Sequence, residues 1–213
     1  MLDQTLSHHD FMNTTKHAIR RACLQTRRAL SPLTQHAASQ RVCEQILALD
    51  VYQHATHVAF YDAIQGEIDL TFLWRHASQT GKSCYMPKLE NNHMLSFLPS
   101  TPDTPTRINH FHLKEPDVDQ TQARPLHAID LLLLPLVAFD DHGTRLGRGA
   151  GYYDRTLANQ QPACLLGVAY AFQHQRFIQS DPWDIPLTGI VTELEVHWFN
   201  LMHPHPSLPF ALE

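Results

Sequence analysis

Apolar and polar residues along the chain follow two spacings, one typical of helices and one typical of buried strands. Between residues 16 and 49, apolar residues recur at helical spacing, and Ser31-Pro32 interrupts them with a helix stop and start signal. A β-branched and aromatic run then precedes the turn Gln65-Gly66 and a further apolar segment. This pattern predicts helices over 16–30 and 32–49, a strand over 57–61 and a helix around 72–74.

The second half of the chain contains the clearest strand. The run Ile129–Leu134 is apolar apart from Asp130 and ends at Pro135, as expected of a central parallel strand covered on both faces. A loop, a helix from about Tyr152 to Asn159 and a strand over Cys164–Ala169 follow, which completes a βαβ crossover. We predict one α/β domain over 16–200, with a disordered or poorly ordered tail at 1–15 and a C-terminal tail at 201–213. The remaining predictions are strands over 84–86 and 94–98, a strand around 108–113 within an irregular proline-rich segment at 100–126, and a last loop and strand within 181–199.

Composition narrows the class of protein. The 213 residues are 43% hydrophobic, which excludes a disordered chain, and 16 Lys and Arg against 21 Asp and Glu give a net charge of −5. This acidic balance argues against a dedicated nucleic-acid binder. The four cysteines lack zinc or redox spacing, and no apolar stretch is long enough to span a bilayer. We therefore expect a cytoplasmic monomer with reduced thiols and small-molecule partners, without nucleic-acid or membrane partners.

Histidine is the unusual part of the composition, because the 16 histidines equal lysine and arginine together. A metal site is one interpretation. However, close pairs such as His110 and His112 lie in predicted loops or tails, and an H-x-H pair lacks the further ligands of a zinc site. We interpret these histidines as solvated side chains. His142 and His174 lie nearer the glycine-rich loop around residues 143–151 and are candidates for tuning the response of a site there to pH.

Glycine is scarce and clustered. Four of the eight glycines fall within the nine residues 143–151, between the central strand and the next helix. Glycine allows positive φ and a close approach of backbone amides to a ligand, and a helix start adds free N–H groups. Arg145 and Arg148 add cationic donors suited to phosphoryl oxygens. We predict an anion site for phosphate, although the spacing is neither a P-loop nor a dinucleotide fingerprint. The alternative is a flexible loop without a ligand.

Four charged residues each have two interpretations. Lys16 and Arg20 lie four apart on the first helix, where a like-charge pair either binds an anion or is merely solvated. Glu67 follows a strand and a glycine turn, and either contacts a substrate amine or is an ordinary turn carboxylate. Asp154 repels a phosphate at the glycine loop unless Mg²⁺ lies between them, and otherwise is a carboxylate favoured by the helix dipole. The residues alone leave these alternatives open.

The segment DLLLLPLVAFDDHGTRLGRGAGYYDRTL, from Asp130 to Leu157, resembles the signature of the 5-formyltetrahydrofolate cyclo-ligase family. Lys16 and Arg20, the segment Gly66–Asp69, and Trp183–Pro186 with Val191-Thr192 resemble further family segments in the same order. The resemblance extends over about residues 16 to 195. It implies a three-layer Rossmann-like α/β fold with a mixed, largely parallel central sheet, ATP at the glycine loop and folate in an adjoining cleft.

The resemblance also implies a reaction and a set of roles. The reaction is the ATP- and Mg²⁺-dependent conversion of 5-formyltetrahydrofolate to 5,10-methenyltetrahydrofolate, with release of ADP and phosphate, through a phosphorylated formyl group (an iminium phosphate). Arg145 and Arg148 would be catalytic, and Asp154 and Asp184 would hold the metal. The folate site would comprise Glu67, Met94, Arg148 and Tyr152, and the ATP site would comprise Lys16, Arg20, Arg145, Leu146, Gly147, Arg148, Gly149, Ala150, Gly151, Tyr152 and Tyr153.

Three positions depart from the family pattern. Ala150 supplies no cation where Gly or Lys is common, Asp62 replaces an apolar residue beside the substrate, and Thr188 replaces an acidic residue. None of these changes removes an expected ATP ligand. Two alternative functions are a related enzyme that binds a sugar phosphate or an acyl-coenzyme A without consuming ATP, and a non-catalytic folate- or nucleotide-binding regulator.

Overall fold

Helices precede the first strand, and the two predicted strand–helix–strand segments follow in the expected order. The computed structural model describes residues 8–158 and 160–199. The helices are α1 His8–Ala29, α2 Pro32–Ala48, α3 Asp50–His54, α4 Thr71–Gln79 and α5 Tyr152–Leu157. The strands are β1 His57–Ala59, β2 Ser83–Leu89, β3 Leu95–Pro99, β4 Thr106–Ile108, β5 Lys114–Pro116, β6 Leu131–Pro135, β7 Ala138–Asp140, β8 Arg145–Leu146, β9 Cys164–Val168, β10 His174–Gln175, β11 Gly189–Val191 and β12 Val196–Trp198.

The central sheet has seven strands in the order β12-β11-β9-β6-β1-β2-β3. The five inner strands pair in parallel, and β12 and β3 pair antiparallel at the two edges. The apolar run predicted as the central strand is β6, which has a parallel neighbour on each side. The predicted mixed, largely parallel sheet is therefore confirmed.

The side chains of β6 explain why this strand is apolar throughout. Leu131 and Leu133 belong to one core cluster with residues of α2, α3 and α4, whereas Leu132 and Leu134 belong to a second cluster with Leu157 of α5. Each of these leucines is at most 1% exposed, and each contributes roughly 1.5–3 kcal/mol through burial. Helices cover one face of the sheet, and α5 with the connecting segments covers the other, which gives the three layers.

The structure corrects two of the predicted elements. Helix α1 begins at His8 rather than Lys16, so residues 8–15, assigned to a poorly ordered tail, are helical; the polar residues there have no apolar periodicity to reveal it. The strand predicted around 108–113 is wrong, because Asn109 accepts hydrogen bonds from the amides of Phe111 and Leu113 and so forms the turn of the β4–β5 hairpin. The predicted tail at 201–213 and residues 1–7 lie outside the described residues.

The segment predicted as a long loop after β6 has its own structure. Strands β7 and β8 form a hairpin, and β10 joins it in a three-stranded sheet. The buried carboxylate of Asp140 holds the turn by accepting hydrogen bonds from the amides of His142, Thr144 and Ile178. The last part of the chain likewise forms two strands, β11 and β12, where one was expected.

The topology defines where a ligand can bind. From β1 the chain crosses through α4 to β2 on one side, whereas from β6 it crosses through α5 to β9 on the other side. The neighbouring strands β1 and β6 therefore form a topological switch point, and a crevice opens beyond their carboxyl ends. The loop after β1 carries Glu67, and the loop after β6 carries the glycine cluster.

Candidate functional site

The glycine loop has the backbone conformation that its composition indicates. Gly149 has φ +105° and Gly151, which caps the start of α5, has φ +69°, so both lie in the left-handed region that favours glycine. Residues 147–150 are exposed, which leaves their backbone open to a ligand. An anion site needs a positive potential at this loop. Because α5 has only six residues, we attribute that potential mainly to cationic side chains rather than to a helix dipole.

Two of these cations come from α1. Arg20 Nε donates to Gly147 O at 2.9 Å, which holds the helix against the glycine loop. Lys16 is 8% exposed, and its Nζ lies 2.6 Å from Asp181 Oδ2 and 3.8 Å from Asp184 Oδ2. Burial lowers the pKa of Arg20, and the two aspartates oppose this shift. The solvated interpretation is therefore wrong for Lys16, which is a buried, paired cation.

Arg145 has a different environment from the one expected of a loop residue. It lies on β8, is 7% exposed, and donates to Asp154 Oδ1 and to Ile185 O. Burial lowers the pKa of Arg145, and Asp154 opposes the shift. Arg145 is thus the cation that offsets the charge of Asp154. The protein itself therefore supplies a cation at Asp154, without Mg²⁺.

Arg148 and Glu67 join the two sides of the crevice. Arg148 Nη2 donates to Glu67 Oε1 at 2.9 Å and to Ile64 O at 3.3 Å. The other carboxylate oxygen, Glu67 Oε2, accepts from the amide of Ile64 at 3.1 Å. The Glu67 side chain is 6% exposed and that of Arg148 is 34% exposed. The structure therefore brings together a buried carboxylate and a half-buried arginine that are 81 positions apart in sequence.

Aromatic side chains line the crevice beyond this pair. The half-buried Tyr152 ring has its centroid 5.8 Å from that of His93 and 6.3 Å from that of Phe111. Met94, also half-buried, immediately precedes β3 next to His93. Tyr153 lies behind them, where burial and Glu67 raise the pKa of its hydroxyl. The two ring contacts form an aromatic wall around Tyr152, and Met94 adjoins it in sequence, next to His93.

Leu146 and Ala150 offer fewer groups to a ligand than the neighbouring residues of the loop. The Leu146 side chain packs in a core cluster with Cys23 and Val137, so only its backbone can face a ligand. Ala150 is exposed, and its carbonyl accepts a hydrogen bond from Arg155. Two cavities of about 440 and 170 Å³ lie elsewhere, and none of the predicted site residues lines them.

The residues present fit a magnesium ion held together with phosphates. Asp154 and Asp184 both act electrostatically on Arg145, and in the described part of the chain Asp154 Oδ2 and Asp184 Oδ1 have no hydrogen-bond partner. Mg²⁺ is commonly held by one or two carboxylates plus substrate phosphates. Within residues 8–158 and 160–199, no group of three or more His, Cys, Asp or Glu is arranged to hold a metal, and His174 pairs with Asp141 at 2.6 Å.

Sequence reasoning missed two charged residues of the site. Asp181 pairs with Lys16, and its only sequence signal is its place three residues before Asp184. Arg27 contacts Glu67 from the interior, and the signal was its place on nearly the same face of α1 as Lys16 and Arg20.

Two departures from the family pattern have structural roles here. Asp62 Oδ2 accepts from the amide of Lys114 on β5, and Thr188 Oγ1 accepts from the amide of Leu165 on β9. Asp62 is therefore engaged with the β4–β5 hairpin, and Thr188 ties the start of β11 to the sheet.

A parallel-sheet crevice lined by glycine, lysine and arginine is the arrangement expected of an α/β protein with anionic ligands. The 5-formyltetrahydrofolate cyclo-ligase family model matches residues 12–193, and the chain belongs to that family of enzymes. It is 38% identical over 185 residues to the 5-formyltetrahydrofolate cyclo-ligase of Haemophilus influenzae, covering 84% of this chain and 99% of that protein. The corresponding Escherichia coli K12 enzyme is 36% identical over 176 residues, covering 81% of this chain and 97% of that protein.

Solved structures agree with this assignment. The NMR structure of Aquifex aeolicus 5,10-methenyltetrahydrofolate synthetase has a TM-score of 0.77 and 32% identity, covering 91% of this chain and 99% of that chain. A Mycoplasma pneumoniae 5,10-methenyltetrahydrofolate synthetase has a TM-score of 0.66 and 28% identity, covering 84% and 98%. The family, the fold and the enzyme class predicted from the sequence are thus confirmed.

Proposed function

We propose that this protein converts 5-formyltetrahydrofolate to 5,10-methenyltetrahydrofolate at the expense of ATP, with Mg²⁺, releasing ADP and phosphate. The observation that carries the proposal is the Arg148–Glu67 pair, which joins the glycine loop to the loop after β1 across the switch point. Such a crevice holds an anionic group on its glycine side and a second ligand beside Glu67. The family relationship supplies the identity of both ligands.

The chemistry explains why these groups are needed. A formyl oxygen is a poor leaving group, so transfer of the γ-phosphoryl group to it gives an iminium phosphate. The neighbouring amine attacks the formyl carbon, and phosphate leaves as the ring closes. Catalysis of phosphoryl transfer is mainly positioning and charge neutralisation, which Lys16, Arg20 and Arg148 can supply.

Each cation has a role that its contacts support. Arg20 stands over Gly147 and is placed for ATP phosphates, together with the exposed backbone of 147–151. To reach a phosphate, the Lys16 ammonium group leaves Asp181 Oδ2, from which it now lies 2.6 Å away. Asp181 then loses this cationic partner. Arg145 orients Asp154 and the carbonyl of Ile185, so it supports the ATP site from behind. The Arg148 side chain is one-third exposed, so its guanidinium group is accessible from the open side of the crevice.

Asp154 and Asp184 would hold the magnesium ion, each through its free carboxylate oxygen. Mg²⁺, when bound, neutralises phosphate charge and orients the transferring group. Tyr152 and Met94 form the apolar wall against which the folate ring packs, and Glu67 receives the pterin nitrogen donors. The Asp62 carboxylate accepts from the backbone amide of Lys114, so we expect it to leave this wall apolar.

A cytoplasmic monomer without nucleic-acid partners remains our proposal for the protein's setting. The four cysteines are free and buried, as suits a reducing compartment. No helix of the described chain is long and apolar enough to cross a membrane.

The test is a turnover assay. The protein is mixed with 5-formyltetrahydrofolate, ATP and Mg²⁺, and methenyltetrahydrofolate absorbance and ADP are measured together. We expect one ADP per product, and Asp184→Asn should raise the Mg²⁺ concentration needed for half-maximal rate. Absence of product beside an active control enzyme contradicts the proposal. Folate binding without turnover would indicate a non-catalytic regulator, and phosphate binding without ADP release would indicate a related enzyme with another substrate.

A further inference from the structure

Arg27, in the last turn of α1, is an unusually buried arginine. It is 1% exposed, its Nε donates to Gln65 O at 3.2 Å and its Nη1 to Leu136 O at 3.3 Å. Its Nη2 is buried without a hydrogen bond to any described residue and lies 3.6 Å from Glu67 Oε1. A buried charged donor without an acceptor is unfavourable. Movement of about 0.7 Å would bring it to the ordinary hydrogen-bond distance.

The turn that carries Glu67 is held from the same interior side. Gln65 has φ +52° and Gly66 has φ +75°, so the chain reverses tightly here. Three buried side chains donate to the carbonyl groups of this turn, which fixes its position relative to the core. The bonds are Arg27 to Gln65 O at 3.2 Å, Tyr170 to Gly66 O at 3.0 Å and Tyr61 to Ile68 O at 2.7 Å.

Glu67 thus lies between two arginines. Arg148 approaches from the open side of the crevice and makes the hydrogen bond, whereas Arg27 approaches from the interior and does not. We propose that Arg27 is a positioning residue that takes over the Glu67 carboxylate when Arg148 leaves it for the transferring phosphoryl group. This inference rests on the proposed function, which places Arg148 at that group.

Charge and burial favour this exchange. The Glu67 side chain is 6% exposed, so loss of Arg148 without a replacement leaves a buried carboxylate without a cationic hydrogen-bond donor. Arg27 and Arg148 repel each other, and burial and this repulsion both lower the pKa of Arg27 while Glu67 raises it. Departure of Arg148 removes the repulsion and leaves Glu67 Oε1 free to accept from Arg27 Nη2. The carboxylate then stays oriented throughout turnover.

A double-mutant cycle on the full-length protein tests the exchange without requiring turnover. Binding of 5-formyltetrahydrofolate is measured by calorimetry for wild type and for Arg27→Met, each with Arg148 present or replaced by Met. With Arg148 present, we expect R27M to weaken binding by less than about threefold, since Arg148 still pairs with Glu67. With R148M, where Arg27 is the remaining cation, R27M should weaken binding by about tenfold or more.

The controls separate positioning from folding. Arg28→Met removes an exposed arginine of the same helix turn and should leave binding unchanged in both backgrounds. In the Glu67→Gln background, R27M should have little further effect. If R27M does not fold, Arg27→Gln removes the charge, keeps an N–H donor for the carbonyl groups of this region, and is used in the same cycle. If the Arg27 substitution weakens 5-formyltetrahydrofolate binding equally with and without Arg148, the inference is overturned. Wild type that binds no 5-formyltetrahydrofolate contradicts the proposed function instead.

Discussion

Replacing Arg148 with methionine tests the crevice most directly. The substitution removes the guanidinium group whose Nη2 lies 2.9 Å from Glu67 Oε1, and it keeps most of the apolar stem. Glu67 retains the amide of Ile64 at 3.1 Å and the Arg27 side chain at 3.6 Å, so the buried carboxylate is not isolated. The protein should therefore fold, and its chemistry should fail.

The two effects have different sizes. A hydrogen bond between charged groups contributes about 1.5–3 kcal/mol when buried. The Arg148 side chain is 34% exposed, and solvent screening brings the expected loss of unfolding free energy to about 1 kcal/mol. An arginine at a transferring phosphoryl group stabilises charge that develops in the transition state. Its loss should lower kcat by at least about 10³-fold, or about 4 kcal/mol in activation free energy.

The assay measures product absorbance at saturating ATP and folate, and urea unfolding measures stability. Arg107→Met is a matched control, because Arg107 forms an exposed pair with Asp117 at 3.5 Å outside the crevice. That variant should keep wild-type turnover. A kcat for R148M within tenfold of wild type would refute the assigned role, and a stability loss far above 1 kcal/mol would show that the pair is chiefly structural.

Two further predictions concern stability. Gly151→Ala should lower the free energy of unfolding by about 1–2 kcal/mol, because Ala at φ +69° is strained and its Cβ would lie 2.9 Å from Arg155 Nη1. Gly147→Ala should lower it less in the same urea titration, because a Cβ there has no heavy atom within 4 Å and the φ of Gly147 is not positive. Equal losses for the two variants would contradict the conformational argument. Burial raises the pKa of the Cys43 thiol from 9.0 to about 11. The unfolded chain therefore releases this proton first as pH rises, and the associated stability is present below about pH 9 and lost between about pH 9 and 11. The stability difference between wild type and Cys43→Ala should shrink by about 2–3 kcal/mol over that interval, and a constant difference would refute the shift.

Sequence reasoning succeeded where local pattern carries the information. The apolar run of β6, the glycine cluster and the Ser31-Pro32 boundary were all placed correctly, and the structure has a parallel central strand, left-handed glycines and a helix start at Pro32. It failed at 108–113, where apolar residues suggested a strand. There the side chain of Asn109 captures two backbone amides and makes a turn instead.

The candidate site was only partly predictable, because local sequence pattern does not show which charged side chains meet in the fold. The sequence left open whether Lys16 binds an anion or is solvated, and whether Glu67 contacts a substrate amine or is an ordinary turn carboxylate. Arg145 shows the limit clearly. Its neighbours suggested an exposed loop, whereas β8 buries it against Asp154.

What the sequence by itself determined is the order of the main elements, the family and the candidate residues for a phosphate site, since periodicity, glycine conformation and motif spacing are local properties of the chain. Only the tertiary structure decided which charges meet. Lys16 pairs with Asp181 across 165 positions and Arg148 with Glu67 across 81 positions. These pairs depend on the order of parallel strands, which brings distant loops to one edge of the sheet, and on burial, which makes an unpaired charge unfavourable.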